Sequence, residues 1–276
     1  MGCPSRFTRY LLLSALLLWV VPVLAEPLRL ATTTSTVASG LLDQILPAFT
    51  RETGIQVHVI AVGTGKALRM GADGDVDVVL VHAPVAEEKF VAAGYGVDRR
   101  GVMYNEFLIV GPASDPAGIR GETDAAQALL RISNSGAGFV SRGDDSGTHK
   151  KELGLWASAG VKPEGRWYME AGQGMGRVLQ MAGELDAYTL VDEGTWIKQG
   201  QGTRLEELAR GDARLFNPYG IIAVNPQLHP QTNYADARTL VEWMTGIEGQ
   251  RLIGNYRLAG KQLFTPSSAT VAGTVQ

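Results

Sequence analysis

The stretch Leu28–Leu42, LRLATTTSTVASGLL, joins a short apolar run to five consecutive hydroxyl residues and then to a helical pattern. Leu28 to Ala31 reads as a strand, and Val37 to Glu52 as an amphipathic helix with Leu41, Leu42, Ile45 and Phe49 on one face. Between them stands Thr32-Thr33-Thr34-Ser35-Thr36. Ser and Thr favour the helix N-cap, but one cap needs one hydroxyl. The surplus places donors at a strand-to-helix turn, where free backbone N–H groups and the positive end of the helix dipole already favour an anion.

The same order continues downstream. Gln56 to Val62 (QVHVIAV) is the next strand, Lys66 to Gly71 a short helix, and Val76 to Val81 (VDVVLV) a buried parallel strand. This βαβα alternation predicts a mostly parallel sheet with helices on both faces. Phe107 to Val110 (FLIV) and Gly220 to Val224 (GIIAV) read as strands crossing between two lobes. Between them lie helices at Asp124–Arg131, Thr148–Ala159, Met175–Met181 and Glu193–Gln199. Strands at Gly138–Ser141, Arg166–Glu170 and Ala187–Leu190 alternate with these helices. Helices at Ala235–Thr245 and Ile247–Tyr256 close the pattern. The expected architecture is α/β, with lobe 1 discontinuous (26–106 and 219–276) and lobe 2 spanning 107–218. The two crossovers put a cleft between the lobes, where strand ends and helix starts meet.

Three further turns carry hydroxyls or glycines into helix starts. Gly63-Thr64-Gly65 lets the backbone approach closely, and no nucleotide P-loop motif accompanies it; Lys66 beside it receives no role. Ser141-Arg142-Gly143-Asp144-Asp145-Ser146-Gly147-Thr148 is the strongest signal. Arg142 brings a permanent charge and a forked donor array suited to an oxyanion, and Asp144 can pin that fork in place. A surface turn with a capping Asp is the plainer reading. Gly172-Gln173-Gly174-Met175-Gly176 contains G-x-G without the rest of a dinucleotide fingerprint. The candidate ligand set is therefore Thr33, Thr34, Ser35, Thr64, Arg142, Ser146, Gly147 and Thr148, with Asp144 supporting.

Composition bounds the rest. The N-terminus has Arg6 and Arg9, the apolar run Leu11–Val23 and small residues before Glu26, the form of a secretory signal cleaved near Ala25. Cys3 lies within it, so the exported chain is expected to hold no cysteine and no disulfide. The full chain carries a net charge of −3, and loss of Arg6 and Arg9 makes it more acidic still. No basic stripe suggests nucleic acid, and an acidic protein must bind an anion through local donors rather than its overall field. The four histidines, His58, His82, His149 and His229, lack metal spacing, so neither a metal nor a cofactor is expected. Ser146, His149 and Asp144 or Asp145 offer the ingredients of a serine hydrolase. Their spacing leaves no orienting acid behind the imidazole, and the G-x-S-x-G context is missing.

ATTTSTVASGLL (31–42), VGTGKAL (62–68), DVDVVLVHAP (75–84), SRGDDSGTHKKE (141–152), AGQGMG (171–176) and YTLVDEGTW (188–196) together resemble the tungstate-binding proteins of ABC importers, the TupA family. The resemblance implies a type II periplasmic-binding fold, no catalysis and a tetrahedral oxyanion ligand. It also implies a periplasmic location and delivery to a membrane permease by what is expected to be a monomer. The Arg142-x-Asp144-x-Ser146-Gly147-Thr148 arrangement also resembles phosphate-binding relatives, in which Arg, Ser, Gly and Thr grip the anion and Asp supports the Arg. Those relatives place a carboxylate in the cleft to receive the phosphate proton. The corresponding strand end here is Val81-His82-Ala83-Pro84, with no Asp or Glu. A fully deprotonated dianion needs donors only, and a carboxylate would repel it. Tungstate, molybdate and sulfate all satisfy that condition. Phosphate satisfies it less well, and only the family resemblance favours tungstate among the dianions.

Overall fold

The computed structural model describes residues 26–267. The signal segment and Cys3 lie outside the described residues. The first lobe opens with β1 (Leu28–Thr33), followed by α1 (Thr34–Ala38) and α2 (Leu41–Thr53). The single helix expected over 37–52 is broken in two because Gly40 takes a left-handed conformation, φ 82°, which residues with a side chain adopt only at a cost. Leu41, Leu42, Ile45 and Phe49 are buried together as the periodicity requires.

β2 (Val57–Val62), α3 (Thr64–Asp73) and β3 (Val78–Val81) follow as expected in kind. α4 (Pro84–Ala92) is an addition; its Pro84 stands at a helix start, where the missing N–H costs nothing. The chain then runs as one 17-residue strand, β4 (Gly96–Pro112), much longer than the four residues anticipated. The second lobe contains α5 (Ala125–Ser135), β5 (Phe139–Ser141), α6 (Gly147–Ser158), β6 (Tyr168–Glu170), α7 (Met175–Glu184), β7 (Thr189–Asp192), α8 (Glu193–Gln199) and β8 (Leu205–Ala209). β9 (Phe216–Val224) returns to the first lobe, where α9 (Tyr234–Thr245) packs on it and α10 (Ile247–Asn255) packs on α9 and α2.

The sheet is mixed, and the expectation of mostly parallel pairing is corrected. β1 pairs parallel with β2 and β3, but β9 runs antiparallel to both β3 and β4. A strand that carries the chain back from the second lobe must run against the one that carried it out, which is why the crossings pair antiparallel. β4 joins the lobes physically. Gly96 to Glu106 pair with β9, and the next residues pair with β7 and β8. The cores divide along the same line. Met103 and Tyr219 belong to the cluster around Phe49, Leu80 and Leu240, whereas Phe107 and Leu215 belong to the one around Leu129, Phe139 and Trp156.

Candidate functional site

Of the five hydroxyls Thr32 to Thr36, which span the end of β1 and the start of α1, three have structural duties. Thr32 Oγ1 donates to the Leu80 carbonyl (2.7 Å) and locks β1 to β3. Thr33 caps α1, its Oγ1 accepting from the Thr36 N–H at 3.2 Å and lying 2.6 Å from Thr36 Oγ1. Thr34 and Ser35 line the cleft beside that turn, Ser35 Oγ lying 3.1 Å from Thr33 Oγ1. The plain capping reading thus holds for Thr33, and the surplus lies in the next two residues.

The Arg142 turn is built from inside the second lobe. Buried Glu152 on α6 accepts from Ser141 Oγ (2.8 Å), Trp156 Nε1 (3.1 Å) and Tyr168 Oη (2.7 Å). Ser141 Oγ in turn accepts from the Gly143 N–H at 3.3 Å, so the carboxyl steers the turn through one hydroxyl. Burial outweighs these three bonds and pushes the Glu152 carboxyl up to about 7. Gly143 and Asp145 both have positive φ, 59° and 58°, which lets the chain reverse sharply ahead of α6. Asp144 forms an ion pair with Arg142 Nη2 and accepts from the Ser146 N–H at 3.2 Å. The guanidinium is therefore fixed by one carboxylate while its Nε stays buried without a partner among the described residues.

These parts meet in one small cavity of about 10 Å³, room for a single small body. It is lined by Thr33, Thr34, Ser35, Thr64, Arg142, Ser146, Gly147 and Thr148, together with Val62, Gly63 and His82. All eight residues proposed from sequence as ligands line it. Asp144 does not, and acts on it through Arg142. Lys66 is exposed on α3 and takes no part in the lining. The turn at 172–176 lines a neighbouring 200 Å³ groove with Thr34, Ser35 and Arg142.

The chemistry of the lining is donor-rich and holds no carboxylate. Arg142, 6% exposed, is the one formal charge in it. α3 and α6 both begin at the cavity, and α3 starts behind Gly63, which has no side chain to cap it. Thr64 Oγ1, like Arg142 Nε, is buried without a hydrogen-bond partner among the described residues. Buried polar groups are nearly always paired, so two orphans in one cavity mark a place built for a ligand that accepts hydrogen bonds.

His82 is the lining residue to which the sequence alone assigned no role. It is a buried polar residue directly after the strand Val78–Val81, and that placement was the available signal. Its ring stacks on Tyr219 (centroids 4.9 Å) and its Nδ1 lies 2.9 Å from Asn217 Oδ1. Burial holds it below the ordinary histidine range, against the attraction of Asp192. His82 and Gly147 also wall off a larger, mainly apolar groove of about 540 Å³ beside Pro84, Val85 and Leu155. That groove is also lined by Lys89, Lys150, Lys151 and Arg214, of which Lys150 pairs with Asp145, Lys151 donates to main-chain carbonyls and Arg214 pairs with Asp124 and Asp212.

No hydrolytic triad forms. Ser146 Oγ accepts from the His149 backbone N–H (3.2 Å) as the α6 cap, and His149 Nδ1 accepts from the Asp145 N–H (3.1 Å). The imidazole closes a turn instead of activating the serine. Thr189, Asp192 and Thr195 likewise serve β7 and the α8 cap.

Residues 25–248 match the family model described as a PBP superfamily domain. The chain is 52% identical over 244 residues to the tungstate-binding protein TupA of Peptoclostridium acidaminophilum, covering 87% of this chain and 85% of that one. It is similar to the crystal structure of the tungstate ABC transporter from Geobacter sulfurreducens, with 56% identity, 84% of this chain and 99% of that chain covered, and a TM-score of 0.77. The tungstate-binding protein TupA from Desulfovibrio alaskensis G20 gives 48% identity, coverage of 88% and 99%, and the same TM-score.

Proposed function

Because the chain belongs to the TupA family of tungstate-binding proteins within the PBP superfamily, we propose that it captures a tetrahedral, fully deprotonated oxyanion in the cavity around Arg142. It is a binding protein with the type II periplasmic-binding fold, not an enzyme, and tungstate is its ligand rather than a cofactor. The observation that carries the site is the pairing of two orphaned donors, Arg142 Nε and Thr64 Oγ1, with a lining free of carboxylates. Such a lining favours an ion with four bare oxygens over one that still holds a proton, because it offers that proton no carboxylate.

The ligand set is Thr33, Thr34, Ser35, Thr64, Arg142, Ser146, Gly147 and Thr148, with Asp144 holding the guanidinium. Lobe 1 comprises 26–106 and the chain from 219 onward, of which 268–276 lie outside the described residues, lobe 2 comprises 107–218, and the division of the cores between Met103 and Phe107 supports that boundary. The exported, periplasmic protein works as a monomer and hands the ion to the permease of an ABC importer. Competitive calorimetry of tungstate, molybdate, sulfate and phosphate against the ligand-free chain tests the reading. Tungstate is expected to bind tightest and phosphate weakest. Phosphate binding as tightly as tungstate would overturn the proposal.

A further inference from the structure

His82 stands at the end of β3, 4% exposed, with one ring face on Tyr219. Its Cε1 edge meets the start of α6 in the other lobe so closely that a Cβ on Gly147 would lie 2.7 Å from it. Nδ1 is engaged by Asn217, and Nε2 has no hydrogen-bond partner among the described residues. As the amides stand, Asn217 Nδ2 donates to Asn105 Oδ1 (2.7 Å) and to Tyr219 Oη (3.3 Å). That orientation leaves Asn105 Nδ2 buried without a partner among the described residues, the costlier kind of orphan.

An amide nitrogen and oxygen have nearly the same size and exchange places on a half-turn. Turning both amides keeps every separation and reverses the roles. Asn105 Nδ2 then donates to Asn217 Oδ1, the Tyr219 hydroxyl donates to the same oxygen, and Asn217 Nδ2 donates to His82 Nδ1. Every donor in the network is used, and the remaining unpaired atom is a carbonyl, which is more readily tolerated. A histidine whose Nδ1 accepts must carry its proton on Nε2.

We propose that His82 is a neutral donor ligand of the oxyanion, presenting Nε2–H to the cavity in a tautomer fixed by Asn217 and Asn105. The inference rests on the reading of this cavity as an oxyanion site and adds a ligand to it. Asn217 on β9 and Asn105 on β4 are positioning residues, one on each crossing strand. Burial keeps the ring neutral: it outweighs Asp192 and the Asn217 hydrogen bond, which favour protonation, and Arg142 and Lys151 oppose protonation further. A neutral Nε2–H also withholds an acceptor from a protonated oxyanion, which strengthens the discrimination already implied by the missing carboxylate.

Long-range proton–nitrogen correlation on the exported chain labelled with ¹⁵N-histidine, with and without sodium tungstate, reads the tautomer directly. Only four histidines contribute, and His82→Gln identifies the relevant signals. Nδ1 of the unprotonated type with Nε2 protonated is expected in the tungstate complex; the opposite pattern overturns the proposal. In calorimetry His82→Leu is expected to lose about 10- to 100-fold in tungstate affinity, the worth of one hydrogen bond to a charged group. His82→Gln, which keeps an N–H donor of similar reach, is expected to recover much of that loss. Unchanged affinity in His82→Leu removes His82 from the ligand set even if the tautomer is as proposed. Failure of the wild-type chain to bind tungstate, molybdate or sulfate would instead sink the functional reading.

Discussion

Replacing Arg142 by Met deletes the only formal charge lining the cavity while keeping most of the side-chain volume. The guanidinium is 6% exposed, already fixed by Asp144, and has Nε free to donate. Because the fork is held in place beforehand, little conformational entropy is lost when the ion binds. Each hydrogen bond from a charged donor is worth about 1.5–3 kcal/mol. Two such bonds to a dianion amount to about 3–6 kcal/mol, or roughly 10²- to 10⁴-fold in Kd. Coulomb attraction at an effective dielectric of about 20 has the same order for unit charges about 4 Å apart.

Part of the measured loss would be repulsion, because Asp144 without its partner is a bare carboxylate beside an anion site. Titration of tungstate into Arg142→Met, Arg142→Lys, Asp144→Asn and the Met–Asn double variant separates the contributions by a double-mutant cycle. Arg142→Lys keeps the charge but not the fork, so it cannot hold Asp144 and the ion together, and an intermediate loss is expected. The double variant is expected to bind about tenfold better than Arg142→Met alone. Binding by Arg142→Met within about threefold of wild type, with an unchanged melting curve, would refute the assignment of this cavity.

Other outcomes follow from the same geometry. Glu152, held up to about 7 by burial, keeps a proton when folded that the unfolded chain gives up nearer 4.5; stability should fall by roughly 3 kcal/mol as pH rises across that window and level off above it. Melting temperatures from pH 4 to 8 check this, and Glu152→Gln should flatten the slope. Gly147→Ala would place a methyl 2.7 Å from the His82 ring, which Tyr219 and Asn217 hold in place, so the lobes must part; calorimetry should show at least about a tenfold loss of tungstate affinity. Gly65→Ala meets only Asp145, an exposed side chain held by a surface ion pair with Lys150 that can give way, and should stay within about threefold of wild type. With His82 neutral and no carboxylate in the lining, tungstate affinity should stay level between about pH 7 and 9 in calorimetry, and a steep change there would reveal an unrecognised titrating ligand.

The elements that place the site were legible because each has a local cause. Leu41, Leu42, Ile45 and Phe49 declare a buried helix face, and VVLV declares a buried strand. The chemistry of SRGDDSGTH is readable because Arg142 and its supporting Asp144 lie two residues apart, within one turn. What stayed hidden depends on partners distant in sequence. The length of β4 is set by strands distant in sequence, β9 along Gly96 to Glu106 and β7 and β8 beyond it, and nothing in its own residues records where the pairing passes from the first lobe to the second. The five-residue hydroxyl run could not be divided into ligands and props, because Thr32 is claimed by the Leu80 carbonyl 48 residues away. His82 is the sharpest case. Its ring meets Asn217 135 residues later and Gly147 in the opposite lobe, and only that convergence turns a strand-end histidine into a member of the site. Local signals thus locate the donors one turn at a time. The character of the cavity, donors on every side and no carboxylate to take a proton, arises only where the two lobes meet.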